Sequence, residues 1–333
     1  MKALLIRVMA EQILGYFDPK KRRLVIRDDI MSAVVSGNPD LGAPALQDAS
    51  IALVHELVHA LQSQHLSLSS NLLVERSIDG ENAFSALVEG DATLAMVDFA
   101  RRQRWPGWRL SELTTRPELI REMVTKFDQL RVPGDELEKA PDVLRVPLIS
   151  AYIDGMSFVA HLHGRGGWKA VNRAHESPPL SSEQVLHPER YQPDLQPTTR
   201  PLPVPGAFAR FGYTPVDEET VGELEVGVFF GLALDRERAR TAAAGWAWDR
   251  LQLWAGTDKP DAVTWYSLWE NEKEAREAER AAAAALETLE GADAEDAGVL
   301  RQAEALLIWV EVPGELRAGL VRTFQQWAGI DLR

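Results

Sequence analysis

A histidine, a glutamate and a second histidine stand at His55, Glu56 and His59, in the run LVHELVHALQSQH of residues 53–65. On an α-helix, residues four apart lie about 40° apart around the axis and about 6 Å along it. His55 and His59 therefore project together, close enough to share one tetrahedral zinc ion. Glu56 sits one residue on and reaches a water held by that metal. Zinc lowers the pKa of such a water towards ~7, and the carboxylate takes its proton as the hydroxide attacks a carbonyl. The pattern carries the chemistry of metal-assisted peptide hydrolysis. The plainer alternative is a helix with two unligated histidines.

Two neutral histidines leave a catalytic zinc one protein ligand short. His65 stands six residues after His59, the step of the signature HExxHxxGxxH, but Gln62 occupies the place of the glycine that turns the chain there. If the helix runs on, His65 lies ~15 Å along the axis from His55 and points away. The stretch ALVEGDA at 86–92 offers a carboxylate instead. Glu89 follows His59 after 29 intervening residues, which leaves room for an antiparallel helix to return, and Gly90 beside it permits close packing. Glu89 is the expected third ligand. Asp91 lies about 200° around that helix and should not bind the same ion. Asp79 and Glu81 are further alternatives, and the bland reading of all these acids is a solvated helix face.

The elements that must position these groups are legible in outline. Leu46, Ile51, Val54, Leu57, Val58 and Leu61 recur at steps of three and four, which predicts an amphipathic helix over about 45–68. Asp48 or Ser50 can cap it or serve its first turn. Further helices are predicted over about 81–102, 119–130 and 148–163, the last ending at Gly164, Gly166 and Gly167. Leu24, Val25 and Ile26 read as a short strand after the turn-like Asp18-Pro19-Lys20. Eight prolines between 177 and 206 preclude long regular structure, and 191–206 reads as an extended connector. Beyond it the pattern gives a helix over 221–245, strands at 249–254, 262–268 and 305–312, and helices over 270–290 and 315–327. The expected fold class is α+β: a mainly helical domain at 1–190, a proline-rich linker at 191–206 and a smaller α+β domain at 207–333. Seven of the ten tryptophans fall in that last part. They are read as core packing rather than as a sugar-binding surface.

The 333 residues are ample for two cores. Thirty-six basic against 50 acidic residues give a net charge of −14, which disfavours binding of nucleic acid or anionic lipid. The absence of cysteine excludes disulfides, iron–sulfur clusters, thiolate zinc sites and a cysteine nucleophile. Apolar runs such as VGVFFGLAL at 226–234 are far shorter than the ~18 residues of a spanning helix, so no membrane insertion is expected. The N-terminal apolar patch is interrupted by Arg7 and lacks a small-residue cleavage site, a poor signal peptide. The run GRGGW at 164–168 lacks the spacing of a phosphate-binding loop.

The pair HELVHALQ and LVEGDA resembles the gluzincins, zinc metallopeptidases whose third ligand is a glutamate on a downstream helix. More narrowly, the chain is similar to an uncharacterised bacterial and archaeal family of metallopeptidases. The segments EQILGYFDP (11–19), GGWKAVN (166–172), PPLSSEQVLHPERY (178–191) and AGWAWDR (244–250) also carry that resemblance, which extends over about 11–270. It implies a zincin-like first domain, Zn2+ as cofactor and a peptide or protein substrate. Because such proteins often continue upstream with an export signal, this chain reads as a shortened form, and its location stays open. A gluzincin mechanism also needs a donor for the oxyanion. The candidates are Tyr152, His161, His163, His175, His187 and Tyr191. Tyr152, on a helix expected beside the active-site helices, and His187, in the proline-rich loop, are preferred. The rival to these is a core tyrosine and a loop-pinning histidine, and His161 and His163 are expected to serve a helix end. The expected activity is peptide-bond hydrolysis with Glu56 as general base. The alternative is a zinc-containing binding or scaffold protein with a degenerate or occluded site.

Overall fold

The structure is a computed structural model that describes residues 7, 15–18, 20–28, 31, 42–66, 68–116, 118–120, 136–193, 202, 206–289 and 296–329. The fold is α+β. The chain divides into two compact units: unit 1 comprises Met1–Arg76, Gly80–Leu180 and Gln184–Leu195, and unit 2 comprises Ser77–Asp79, Ser181–Glu183 and Gln196–Arg333. The expected helix at 119–130 is described only to residue 120, and most of the expected connector at 191–206 also lies outside the described residues.

Unit 1 is built on a hairpin and three long helices. Strands β1 (Gly15–Asp18) and β2 (Arg23–Ile26) pair antiparallel, with Tyr16 opposite Val25. Asp18 closes their turn by accepting from the backbone N–H groups of Lys20 and Lys21. Helix α1 (Gly42–His65) carries the two histidines, α2 (Ile78–Arg104) carries Glu89, and α3 (Asp142–Glu176) carries Tyr152. Ala83, Ala86, Leu87, Leu94 and Val97 form the buried stripe of α2, at helical steps, and meet Met156, Phe158, Val159 and Leu162 of α3. The two helices touch backbone to backbone where Gly90 faces Gly155. A Cβ on Gly90 would sit 2.1 Å from the Gly155 carbonyl carbon.

Two expectations for unit 1 need correction. The glycines at 164–167 do not end a helix. Gly166 and Gly167 leave helical geometry, Gly167 at φ 61°, and the helix resumes to Glu176. Glycine tolerates that left-handed backbone, so the residues read as a stop make a kink instead. His163 accordingly does not serve a helix end; its Nδ1 pairs with the Thr114 hydroxyl at 3.1 Å. An 18-residue window of α3 also has a mean hydropathy of 1.4, enough by length and composition to span a membrane. Its apolar side is the core of unit 1, as the fully buried Met156, Phe158 and Val159 show.

Unit 2 is one antiparallel sheet in the order β3 (Tyr213–Glu219), β4 (Trp246–Gly256), β5 (Ala262–Trp269), β7 (Ala305–Val310), β6 (Gly298–Gln302). Alternate residues of the central strands enter different cores. Tyr266, Leu268, Leu307 and Trp309 face helix α7 (Gly314–Ala328), whereas Trp265, Trp269, Leu306 and Ile308 face the alanine stripe of α6 (Glu272–Leu286). All seven tryptophans of this unit are buried, as core packing requires. The single helix expected over 221–245 is two, α4 (Gly222–Phe230) and α5 (Arg236–Ala243), with Asp235 capping the second through the Arg238 N–H.

Candidate metal centre

Helix α1 continues straight through Gln62 to His65, so His55 and His59 stand one turn apart on the same face. Their rings meet edge to face with centroids 4.7 Å apart, and their Nε2 atoms lie 3.1 Å from each other. Glu89 completes the group: its Oε2 is 3.0 Å from His55 Nε2 and 3.4 Å from His59 Nε2. One ligand atom from each of His55, His59 and Glu89 falls within 4.8 Å of the others, an arrangement that can hold a metal ion.

The electrostatics fit a cation. Burial works against charge on both His59 and Glu89, but the hydrogen bonds and charge they exchange outweigh it. His59 is pushed up to about 9 and Glu89 down to about 2, one interaction seen from its two ends. Glu56, next along α1, is raised chiefly by burial and also by the Glu89 charge, against the two histidines. The Phe17 N–H of β1 donates to its carboxylate. The hairpin also abuts it, since a Cβ on Gly15 would lie 3.4 Å from Glu56 Cγ.

Tyr152 is the oxyanion-donor candidate that stands against this group. Its ring stacks on His55 with centroids 5.8 Å apart, and its hydroxyl hydrogen-bonds Glu89. The residue is 44% exposed overall, but desolvation of its hydroxyl against the group, then the charges of Glu89 and Glu56, raise its pKa above the usual phenol value. Gly155 lies one turn further along α3 and Gly90 lies beside Glu89, so the bare helix crossing is what brings tyrosine and glutamate within reach. His187 precedes a short 3-10 turn (Pro188–Arg190) without a side-chain capping hydrogen bond, and none of the ligand-atom contacts of the group involves it. The Tyr191 hydroxyl donates to the Ser177 carbonyl at 2.5 Å, and half-buried His161 is lowered by burial and by Arg165.

The other acids lie elsewhere. Glu81 is exposed beside Arg76, 3.8 Å away. His65 is exposed at the end of α1. Asp79 belongs to unit 2, where its Oδ1 accepts from the Ser182 N–H and hydroxyl. Burial pushes Asp79 up to about 7, with Asp249 and Glu223 adding like charge. Asp249, bonded to Trp265 Nε1 and the Val221 and Gly222 N–H groups, is likewise pushed up to about 7 by burial.

One set of residues is not evident from the sequence. Gln62, fully buried, receives His59 Nδ1 at 2.9 Å on its Oε1 and donates from Nε2 to the Val88 carbonyl and to Asp91 Oδ2. The same Asp91 oxygen is 3.1 Å from Nε2 of the buried His175. A signal is nonetheless present: positions 55, 59 and 62 share one helix face, so a polar Gln62 there belongs with the histidines.

A family described as a domain of unknown function (DUF8575) matches residues 210–316, most of the sheet unit and none of the metal centre. No curated protein and no solved structure matches the chain.

Proposed function

We propose that the protein is a zinc-dependent peptide hydrolase in which His55, His59 and Glu89 hold the metal and Glu56 is the general base. The observation that carries this reading is the spacing of the ligand atoms. Ligands about 2.0–2.1 Å from a tetrahedral zinc lie roughly 3.3 Å from one another. Here the separations are 3.0, 3.1 and 3.4 Å. Two imidazoles and one carboxylate suit zinc better than calcium or magnesium, which prefer oxygen alone. Three protein ligands also leave one position for water or substrate, as catalytic zinc requires and structural zinc does not. The resemblance of HELVHALQ and LVEGDA to the gluzincins points the same way.

Zinc bound there supplies a Lewis acid and a water of lowered pKa. Glu56, raised from its ordinary value chiefly by burial, is suited to take that water's proton and to pass it to the leaving amine. Tyr152 keeps its proton at any working pH because its pKa is raised, so its hydroxyl, bonded to Glu89 in this structure, can donate to the carbonyl oxygen as negative charge develops once it turns from Glu89. The substrate class is a peptide or protein.

The test is hydrolysis of a peptide library by the wild type and by Glu56→Gln, with zinc content measured in both. Loss of roughly 10²–10⁴-fold in turnover with zinc retained is expected. Equal, background-level turnover in both would sink the hydrolase and favour a second reading, a zinc-holding binding or scaffold protein with an occluded site.

A further inference from the structure

We infer that Gln62, Asp91 and His175 form a positioning relay that fixes which nitrogen of His59 faces the metal. The inference rests on the proposed metal site but follows from hydrogen-bond polarity alone. One end of the Gln62 amide lies 3.0 Å from the Val88 carbonyl and 2.9 Å from Asp91 Oδ2. Both neighbours are acceptors only, so that end is the NH2 group. The other end, Oε1, is then an acceptor, and the ring nitrogen 2.9 Å from it, His59 Nδ1, must carry a hydrogen. A neutral imidazole has one N–H, so the His59 lone pair lies on Nε2, the atom beside Glu89.

Asp91 is held in turn. Its Oδ2 also receives His175 Nε2 at 3.1 Å. Nδ1 of His175 is buried and meets no partner among the described residues, so the ring's hydrogen belongs on Nε2, pointing at Asp91. The Asn71 amide fixes that stretch of α3 by donating to the His175 carbonyl at 3.1 Å. The relay thus spans α1, α2 and α3, and each member is buried. It accounts for the glutamine on the face of the two histidines: an apolar residue at 62 would fill the space but leave His59 Nδ1 without this acceptor and Asp91 with His175 alone of the two donors.

Two measurements test the relay apart from any catalysis. The first is the His59 tautomer, read by long-range 15N–1H correlation in metal-free protein at alkaline pH, where the ring is neutral. The wild type is expected to show Nδ1–H, and Gln62→Met to lose that preference with its circular dichroism unchanged. The second is zinc affinity by competition with a chelator, expected to fall roughly ten- to a hundredfold in Gln62→Met. If Gln62→Met fails to fold, the wild-type tautomer alone decides, because a neutral His59 with its hydrogen on Nε2 contradicts the acceptor placed at Gln62 Oε1. An Nδ1–H tautomer kept in Gln62→Met, or an Nε2–H tautomer in the wild type, overturns the relay. A wild type that shows Nδ1–H yet binds no zinc leaves the relay standing and overturns the metal reading instead.

Discussion

Both units bury carboxylates, and the two burials end in opposite ways. In unit 1 Glu89 is held down to about 2; in unit 2 Asp79 and Asp249 are pushed up to about 7. Burial drives all three in the same direction, so the partners make the difference. Glu89 faces two imidazoles that can carry positive charge. Asp79 and Asp249 accept from a hydroxyl, an indole and backbone N–H groups; the Arg250 charge acts on Asp249 without offsetting its burial, and Asp79 feels other carboxylates. A buried acid is therefore not a site by itself. The first arrangement is tuned to a cation, whereas the second is a structural joint that holds its ends of chain by hydrogen bonds and disfavours ionisation.

The sharpest way to break the contrast is to take the carboxylate out of the first group. Glu89→Ala should reduce zinc affinity by roughly a thousandfold, more than loss of any outer-shell partner. It should also shrink the His59 shift. With the Glu89 hydrogen bond and charge gone, burial is opposed only by the Gln62 hydrogen bond and the Glu56 charge, and the imidazole should titrate below the wild-type value of about 9. Metal competition and histidine NMR read the two effects. Unchanged zinc stoichiometry and affinity would remove Glu89 as a ligand.

A smaller effect is expected from pH. Zinc takes the neutral imidazole, while metal-free His59 holds its proton up to about 9. Below that value the metal must displace the proton, so affinity should rise as pH rises. The gain should be about tenfold for each pH unit between 7 and 9, then level off. Isothermal titration in buffers of different ionisation enthalpy should find about one proton released at pH 7. A flat profile would mean that Glu89 and His59 do not share that proton.

How much of the site is legible in the sequence depends on whether the signal is local. His55, Glu56 and His59 are one helical turn, and the three- and four-residue steps around them suffice to place them on a helix. Glu89 is reachable because EGD interrupts an apolar helix at a plausible distance. The relay behind His59 is not, since Asp91 and His175 are 84 residues apart and only the packing of α2 on α3 joins them. The strands β3 and β6 go unread for a related reason. They are the two edges of the sheet, and β3 is exposed over most of its length and contains Pro215, so neither carries the apolar alternation of a central strand. The glycines at 164–167 mislead because a kink and a stop use the same residue type. Only the return to helical geometry between Gly167 and Glu176 tells the two apart.

The unit 2 joint gives the smallest and most diagnostic effect. Asp79 titrates near 3.8 in an unfolded chain and near 7 when buried, so between those values the native state holds a proton that the unfolded state has lost. Its stabilising contribution is complete below about pH 4, declines as the pH climbs to about 7 and is flat beyond. Asp249 acts in the same sense. Urea midpoints should therefore fall from pH 5 to pH 8. Asp79→Asn keeps an oxygen for the Ser182 N–H and hydroxyl but cannot ionise. It should lose less stability over that interval than the wild type, by on the order of 1–2 kcal/mol once relaxation around the buried charge is allowed for. Wild-type stability that instead rises from pH 5 to 8 would mean that Asp79 is paired with a cation after all. The contrast with Glu89 would then disappear.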